Sequence, residues 1–275
     1  RPAMSTAQLT LQRDYLGAHR RMIIGRSLAA SMVGAVPVPV LDDWLLHVVL
    51  RGTYRRVAEA RMVDVSDEAV KNLIYGFSRP PEWARMSLGA LAYKIVARRW
   101  RRAVLVLVAT SRARAAARHF TVATLFDHYC ARLHVGLGLD AADALALREV
   151  IDRAIASTPG GFDIRAFRRA VVAALRASLK APMELADLAS GGRLRRLLSR
   201  GQVLAAEEVD QALDRQLTAQ TSFLGRATTA VELQLSAEGN PYIEQLLGTF
   251  DRLWRERKDA PSPTSVPPPP TPAAT

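Results

Sequence analysis

Gly34-Ala35-Val36-Pro37-Val38-Pro39-Val40-Leu41-Asp42-Asp43 is the stretch whose reading decides the fold of this chain. Pro37 and Pro39 lack backbone N–H donors and have a fixed φ, so no helix continues unbroken through them. Upstream, residues 22–33 form an apolar run of small side chains carrying Ile23, Ile24, Leu28, Ala29, Ala30 and Met32. Downstream, residues 44–57 read as a second helix, with Asp42 or Asp43 placed to cap its first turn. The expected product is a sharply bent helical hairpin with an apolar Pro-Val-Pro tip.

Outward from the hairpin the pattern stays helical. Ser66 is positioned to cap a short helix over Asp67–Tyr75, and Gly76 with Pro80-Pro81 ends it. A proline-free region follows to about residue 134 and closes at Gly136-Leu137-Gly138. Its run Ala103-Val104-Leu105-Val106-Leu107-Val108-Ala109 is apolar all round, and the helical context on both sides makes it helix rather than strand. Leu147, Val150, Ile151, Ala154 and Ile155 define the inner face of the next helix, which Thr158-Pro159-Gly160-Gly161 stops. Asp163 precedes a stripe of Ile164, Phe167, Val171, Leu175 and Leu179. Pro182 and Gly191-Gly192 interrupt, and 194–198 reads as a short basic helix. Val209, Leu213 and Leu217 align on a helix expected to run on through Phe223-Leu224 to Gly225. Asn240-Pro241 opens the last helix, with Ile243, Leu246, Leu247, Phe250 and Trp254 inward. The fold class is therefore all-α: a multi-helix bundle with a Pro-Val-Pro hairpin and a disordered Pro-rich tail over 259–275. Residues 8–135 form the hairpin domain with its basic region, and 140–258 form a helical body, either separate from the first or continuous with it.

The chain has 275 residues, enough for a full core, and 49% apolar content excludes global disorder. Its 38 basic residues against 26 acidic ones leave a net charge of +12, which favours anionic partners such as acidic lipid or nucleic acid. Cys130 is the single cysteine, so no intramolecular disulfide can form. His19-Arg20-Arg21 before an apolar run resembles a twin-arginine export signal, but Arg26 interrupts the run and the expectation is against export.

The charge is unevenly spread. Nine Lys or Arg and no acid lie between Trp83 and Phe126, with Lys94, Arg98, Arg101 and Arg102 at helical spacing beside Trp100. Arginines around a tryptophan, followed by an apolar segment, suit a lipid headgroup boundary. Nucleic acid is the less favoured partner, because aromatics for stacking are only 6% of the chain and the apolar tip would find little on DNA to bury it. Asp127, Cys130 and His134 stand at i, i+3 and i+7, a spacing that a helix would bring to one face, and their donor types suit zinc or iron. The competing reading makes them core residues beside Phe126, Tyr129 and Leu133. Asp43 and His47, four apart, are placed to hydrogen-bond. Neither a phosphate-cradling glycine loop nor a nucleophile-elbow serine is present, so no cofactor and no enzymatic activity are expected.

Over residues 23–134, the Gly-Ala-Val-Pro-Val-Pro-Val-Leu-Asp-Asp turn between a small-residue helix and an apolar one resembles a bacterial helical family. This is the domain of unknown function of YcjF-type inner-membrane and GTPase-associated proteins, with an EcsC-like hairpin. The resemblance implies a membrane-associated hairpin and places the family's second half near residues 120–130. The early Tyr-Gly and the glycine-rich run of that family have no counterpart here. A second likeness, at residues 201–216, is to a half-repeat of the cyclic-di-GMP-binding domain that precedes type II secretion ATPases.

The expectation from sequence is a non-enzymatic, peripheral membrane-associated adaptor or structural module. It would lie in the bacterial cytoplasm at the inner face of the cytoplasmic membrane, with an unknown protein partner. Val36, Pro37, Val38, Pro39 and Val40 would meet lipid, helped by Arg98, Arg99, Trp100, Arg101 and Arg102. The alternatives are a soluble anion-binding module for nucleic acid or a cyclic dinucleotide, and a metal-dependent enzyme built on Asp127, Cys130 and His134.

Overall fold

The computed structural model describes residues 14–33, 39–77, 101–180, 206–219, 222–237 and 241–259, with side chains described except at 39–42, 101–107, 174–180 and 237. The tip residues 34–38, Arg98, Arg99 and Trp100, the connection 181–205 with its expected short basic helix, and the tail 260–275 lie outside the described residues. Among the described residues are nine α-helices, one 3-10 turn (Asp14–Leu16) and a two-residue parallel pairing of β1 (Asp64–Val65) with β2 (Gly138–Leu139). The fold is all-α.

The hairpin forms from α1 (Gly17–Val33) and α2 (Pro39–Ala60). The second arm begins earlier than a cap at Asp42 or Asp43 would allow. Pro39 opens it, because a proline at the first helical position gives up a donor that has no intrahelical acceptor there. Positions 42 and 43 thus fall inside the helix, three and four residues past its start, instead of capping it. Met62 closes α2 with φ of 57°, and Val63 N–H donates back to Ala58 O at 2.9 Å. That is the left-handed stop usually given to glycine.

Helix α1 is buried all round from Ile23 to Val33. Its small residues make this possible, since other helices approach its backbone closely. A Cβ on Gly25 would lie 2.3 Å from Leu217 Cδ2 and 2.9 Å from Thr228 Oγ1. The second central element is α4 (Arg101–Arg132), about 48 Å long at 1.5 Å per residue. The valine-rich run at its start is helix, and every residue from 120 to 130 is buried.

Around α1 and α4 pack α5 (Ala141–Ser157), α6 (Arg165–Lys180), α7 (Ala206–Thr218), α8 (Phe223–Ala237) and α9 (Pro241–Asp259), while α3 (Asp67–Tyr75) packs on α2 and α5. Ser66 accepts from Ala69 N–H at the start of α3, and Gly76 ends it at φ 60°. Asp140 caps α5, and Asp163 Oδ1 accepts from Arg165 N–H ahead of α6. Helices α7 and α8 are not the single helix expected from their sequence. Ser222 Oγ accepts from Gly225 N–H at 2.8 Å, so Phe223-Leu224-Gly225 opens a new helix instead of ending the old one. One hydrophobic cluster joins residues from Ile23 to Trp254, so the segments read as 8–135 and 140–258 share a core. A smaller cluster of Val33, Leu45, Val48 and Val209 sits at the base of the hairpin tip, where α7 packs on both arms.

Candidate functional site

Helix α1 carries one cation into this core. Arg26 is 0% exposed. Its Nη1 donates to Asp210 Oδ1 and its Nη2 to Asp214 Oδ1, each at 2.6 Å, while Val49 O lies 3.4 Å from Nη1. Arg56 on α2 donates to Asp210 Oδ2 at 2.7 Å and pairs also with Asp214. Two cations from the hairpin arms thus face two carboxylates one turn apart on α7, and the charges balance. Burial works against the Asp210 carboxylate, yet the hydrogen bonds and charges of Arg26 and Arg56 hold its pKa below the ordinary value. Gly52 makes room for this clamp, since a Cβ there would lie 2.0 Å from Asp210 Oδ1 and 2.5 Å from Arg26 Nη1. Further along α2, Arg51 and Arg55 both reach Asp67 at the start of α3.

A second polar network surrounds the C-terminal half of α4. Asp127 is 0% exposed. Its Oδ1 accepts from Arg61 Nε at 2.8 Å and lies 3.0 Å from His19 Nδ1, while its buried Oδ2 has no hydrogen-bond partner. Arg61 also donates to Tyr15 O at 2.7 Å. His128 Nδ1 is 2.5 Å from the Tyr15 hydroxyl, and its Nε2 is 2.6 Å from Asp251 Oδ1 on α9. Hydroxyl, imidazole and carboxylate stand in the order that relays a proton. The tyrosine ring, however, is covered by Arg61 and Arg132 at 5.6 and 5.4 Å. The chain of bonds runs from the 3-10 turn through α4 to α9, and so ties the entrance of the fold to its last helix.

This network accounts for the proposed metal ligands differently. Asp127, Cys130 and His134 do not form a ligand set. Helix α4 ends at Arg132, so His134 has left the helix that would have aligned it, and its Nδ1 faces the Tyr129 hydroxyl at 3.2 Å. Asp127 is already engaged by Arg61 and His19. Among the described residues no group of three or more His, Cys, Asp or Glu is arranged to hold a metal ion. Burial, and then the charge of Asp127, push the Cys130 thiol above its ordinary pKa, which works against a free thiolate nucleophile there. His47 likewise meets Tyr75 at 3.3 Å in a stacked pair, in place of the expected bond to Asp43.

Of the lipid-contact residues, Val36, Pro37, Val38, Arg98, Arg99 and Trp100 lie outside the described residues. Pro39, Val40, Arg101 and Arg102 fall in the first turns of α2 and α4, with side chains outside the description. Later in the same acid-free region, Arg114 is exposed, and Arg118 is exposed but within 3.3 Å of Asp152. No helix among the described residues is long and apolar enough to cross a membrane.

Sequence reasoning missed Arg26 with Asp210 and Asp214, and Tyr15 with His128 and Asp251. The first had a signal: a lone arginine inside an apolar helix needs a buried counter-ion. Asp210 and Asp214, four apart beside the stripe of Val209, Leu213 and Leu217, were the carboxylates placed to supply it. Compared with family models, curated proteins and solved structures, the chain matches none.

Proposed function

We propose that this chain is a non-enzymatic helical adaptor that lies peripherally on an acidic membrane surface, on the cytoplasmic side of a bacterial membrane. The observation that supports the reading is the anchoring of the hairpin. Helix α1 is buried from Ile23 to Val33, both arms are clamped by Arg26 and Arg56 to α7, and Val33 and Leu45 pack on Val209 at the base of the turn. With both arms fixed, insertion of the apolar Pro-Val-Pro connection into a headgroup layer would not require ordering the helices that flank it. Arginines 98, 99, 101 and 102 would add about 1 kcal/mol each against acidic lipid.

Sedimentation of the full chain with vesicles tests this reading. Pelleting with acidic vesicles is expected to survive high salt in part and to be lost in Val38→Asp, with the thermal transition unchanged. Pelleting retained by that variant would sink the insertion reading. The alternative, a soluble module for nucleic acid or a cyclic dinucleotide, rests on the acid-free run between Trp83 and Phe126. It predicts binding that falls steeply with salt and is indifferent to Val38→Asp.

A further inference from the structure

The surface between α6 and α8 holds a groove of about 660 Å³ whose floor is alanine from both sides, Ala170 and Ala173 facing Ala227 and Ala230. Phe223 stands at one end, and Leu233, 65% exposed, stands at the other. Among the described residues the lining contains no carboxylate. It contains two exposed arginines, Arg169 and Arg226, and Gln234, whose Oε1 takes a bond from Arg169 at 3.3 Å across the groove. Arg226 pairs with no carboxylate among the described residues. Alanine floors leave depth for larger side chains from outside, and the Arg226 guanidinium, with no carboxylate partner among the described residues, favours an acid on whatever enters.

We infer that this groove docks an amphipathic helix of a partner protein, with an apolar stripe inward and acidic residues along its flanks. The dimensions suit it. Phe223 and Gln234 are eleven residues apart on α8, so the groove is about 16 Å long, or three helical turns. A single acyl chain fits less well, because the groove is open along one side and would leave the chain in water. A helix brings its own polar outer face. A second copy pairing isologously would set Arg169 and Arg226 against their own counterparts without acids between them. The inference rests on the adaptor part of the reading above and is independent of its lipid part.

The test uses the full chain and a stapled, fluorescent helix of about 14 residues, with leucines at i, i+4 and i+7 and glutamates flanking them. Its counterpart carries lysines at the glutamate positions. Anisotropy should saturate with the glutamate helix and show at least roughly ten-fold weaker binding of the lysine helix. Leu233→Glu and Arg226→Glu change exposed side chains, so their melting transitions should match the parent chain, and each should weaken the glutamate helix by about ten-fold. Equal binding of the two helices, unchanged binding by both variants, or no saturation would overturn the inference. So would loss of phosphatidylglycerol-vesicle pelleting in Leu233→Glu with helix binding intact, which would make the groove a lipid surface. Val38→Asp should leave helix binding untouched, so failure of the membrane reading is read separately.

Discussion

The two buried polar networks of this fold do the same mechanical work by different chemistry. The clamp of Arg26 and Arg56 on Asp210 and Asp214 joins the hairpin to α7 with two full charges of each sign. The network around α4 joins the 3-10 turn to α9 through imidazoles, a phenol and a single deeply buried carboxylate, one of whose oxygens has no partner. The clamp sets two cations against two carboxylates, whereas the α4 network leaves one oxygen of the buried Asp127 carboxylate without a partner. Loss of one charged partner should therefore cost more in the clamp.

The largest effect should come from the clamp. Asp210→Ala removes a carboxylate shared by both arginines and leaves the guanidinium of Arg26, which has no exposure, with half its compensation. A cost of about 3–5 kcal/mol is expected in denaturant unfolding. A cost below about 1 kcal/mol would show the clamp to be dispensable. The pH response of the α4 region should be next in size. Burial, with Arg118 and Arg148 nearby, pushes His119 down from 6.5 to about 4. Its native site favours the neutral ring while the unfolded chain takes up a proton. Stability from this group is full above pH 6.5, falls as the pH drops toward 4, and levels off below that. The ceiling on the loss is roughly 3 kcal/mol. Melting temperatures at pH 7 and 5 should diverge in the parent chain and converge in His119→Asn; the same divergence in both would refute the assignment. Asp210 responds in a separate window. Its carboxyl sits below 3.8 in the fold, so its contribution persists above that pH and is lost only as the pH falls through its lowered value. The smallest change should be Asp127→Asn. The amide oxygen still accepts from Arg61, which keeps its bond to Tyr15 O. The expected cost is about 1–2 kcal/mol, and a loss equal to that of Asp210→Ala would erase the distinction between the networks.

What the sequence disclosed was whatever is local. Caps and stops act within a turn, so Ser66, Gly76, Asp163 and Pro241 could be read from their neighbours, and the stripes of Leu147 to Ile155 and Val209 to Leu217 follow from the helical period. Three misreadings have equally physical origins. Pro39 starts its helix because proline suits the first turn, which displaced the cap expected at Asp42 or Asp43. Ser222 divides α7 from α8 through one side-chain bond, and periodicity alone does not register such a break. His134 looked aligned with Asp127 only while α4 was allowed to continue past Arg132. The two networks were illegible for another reason. Arg26 and Asp210 are 184 positions apart, and Tyr15 and His128 are 113 apart. Only the assembled packing of α1, α4, α7 and α9 brings them together. Not every arginine of this basic chain is free to meet an anionic surface, since Arg26, Arg51, Arg55, Arg56 and Arg61 all have carboxylate partners.

The burial of α1 from Ile23 to Val33 also has a consequence for synthesis. This helix leaves the ribosome well before α7 and α8, which supply part of its walls. At about 5–20 residues per second, roughly 10–40 s separate translation of Arg26 from translation of Asp210. During that interval an apolar helix bearing an unmatched cation waits in the nascent chain. A message truncated before α7 would leave that helix permanently unpaired, as a ready substrate for chaperones and proteases. Completion of α7 and α8 is thus the step that releases α1 from surveillance.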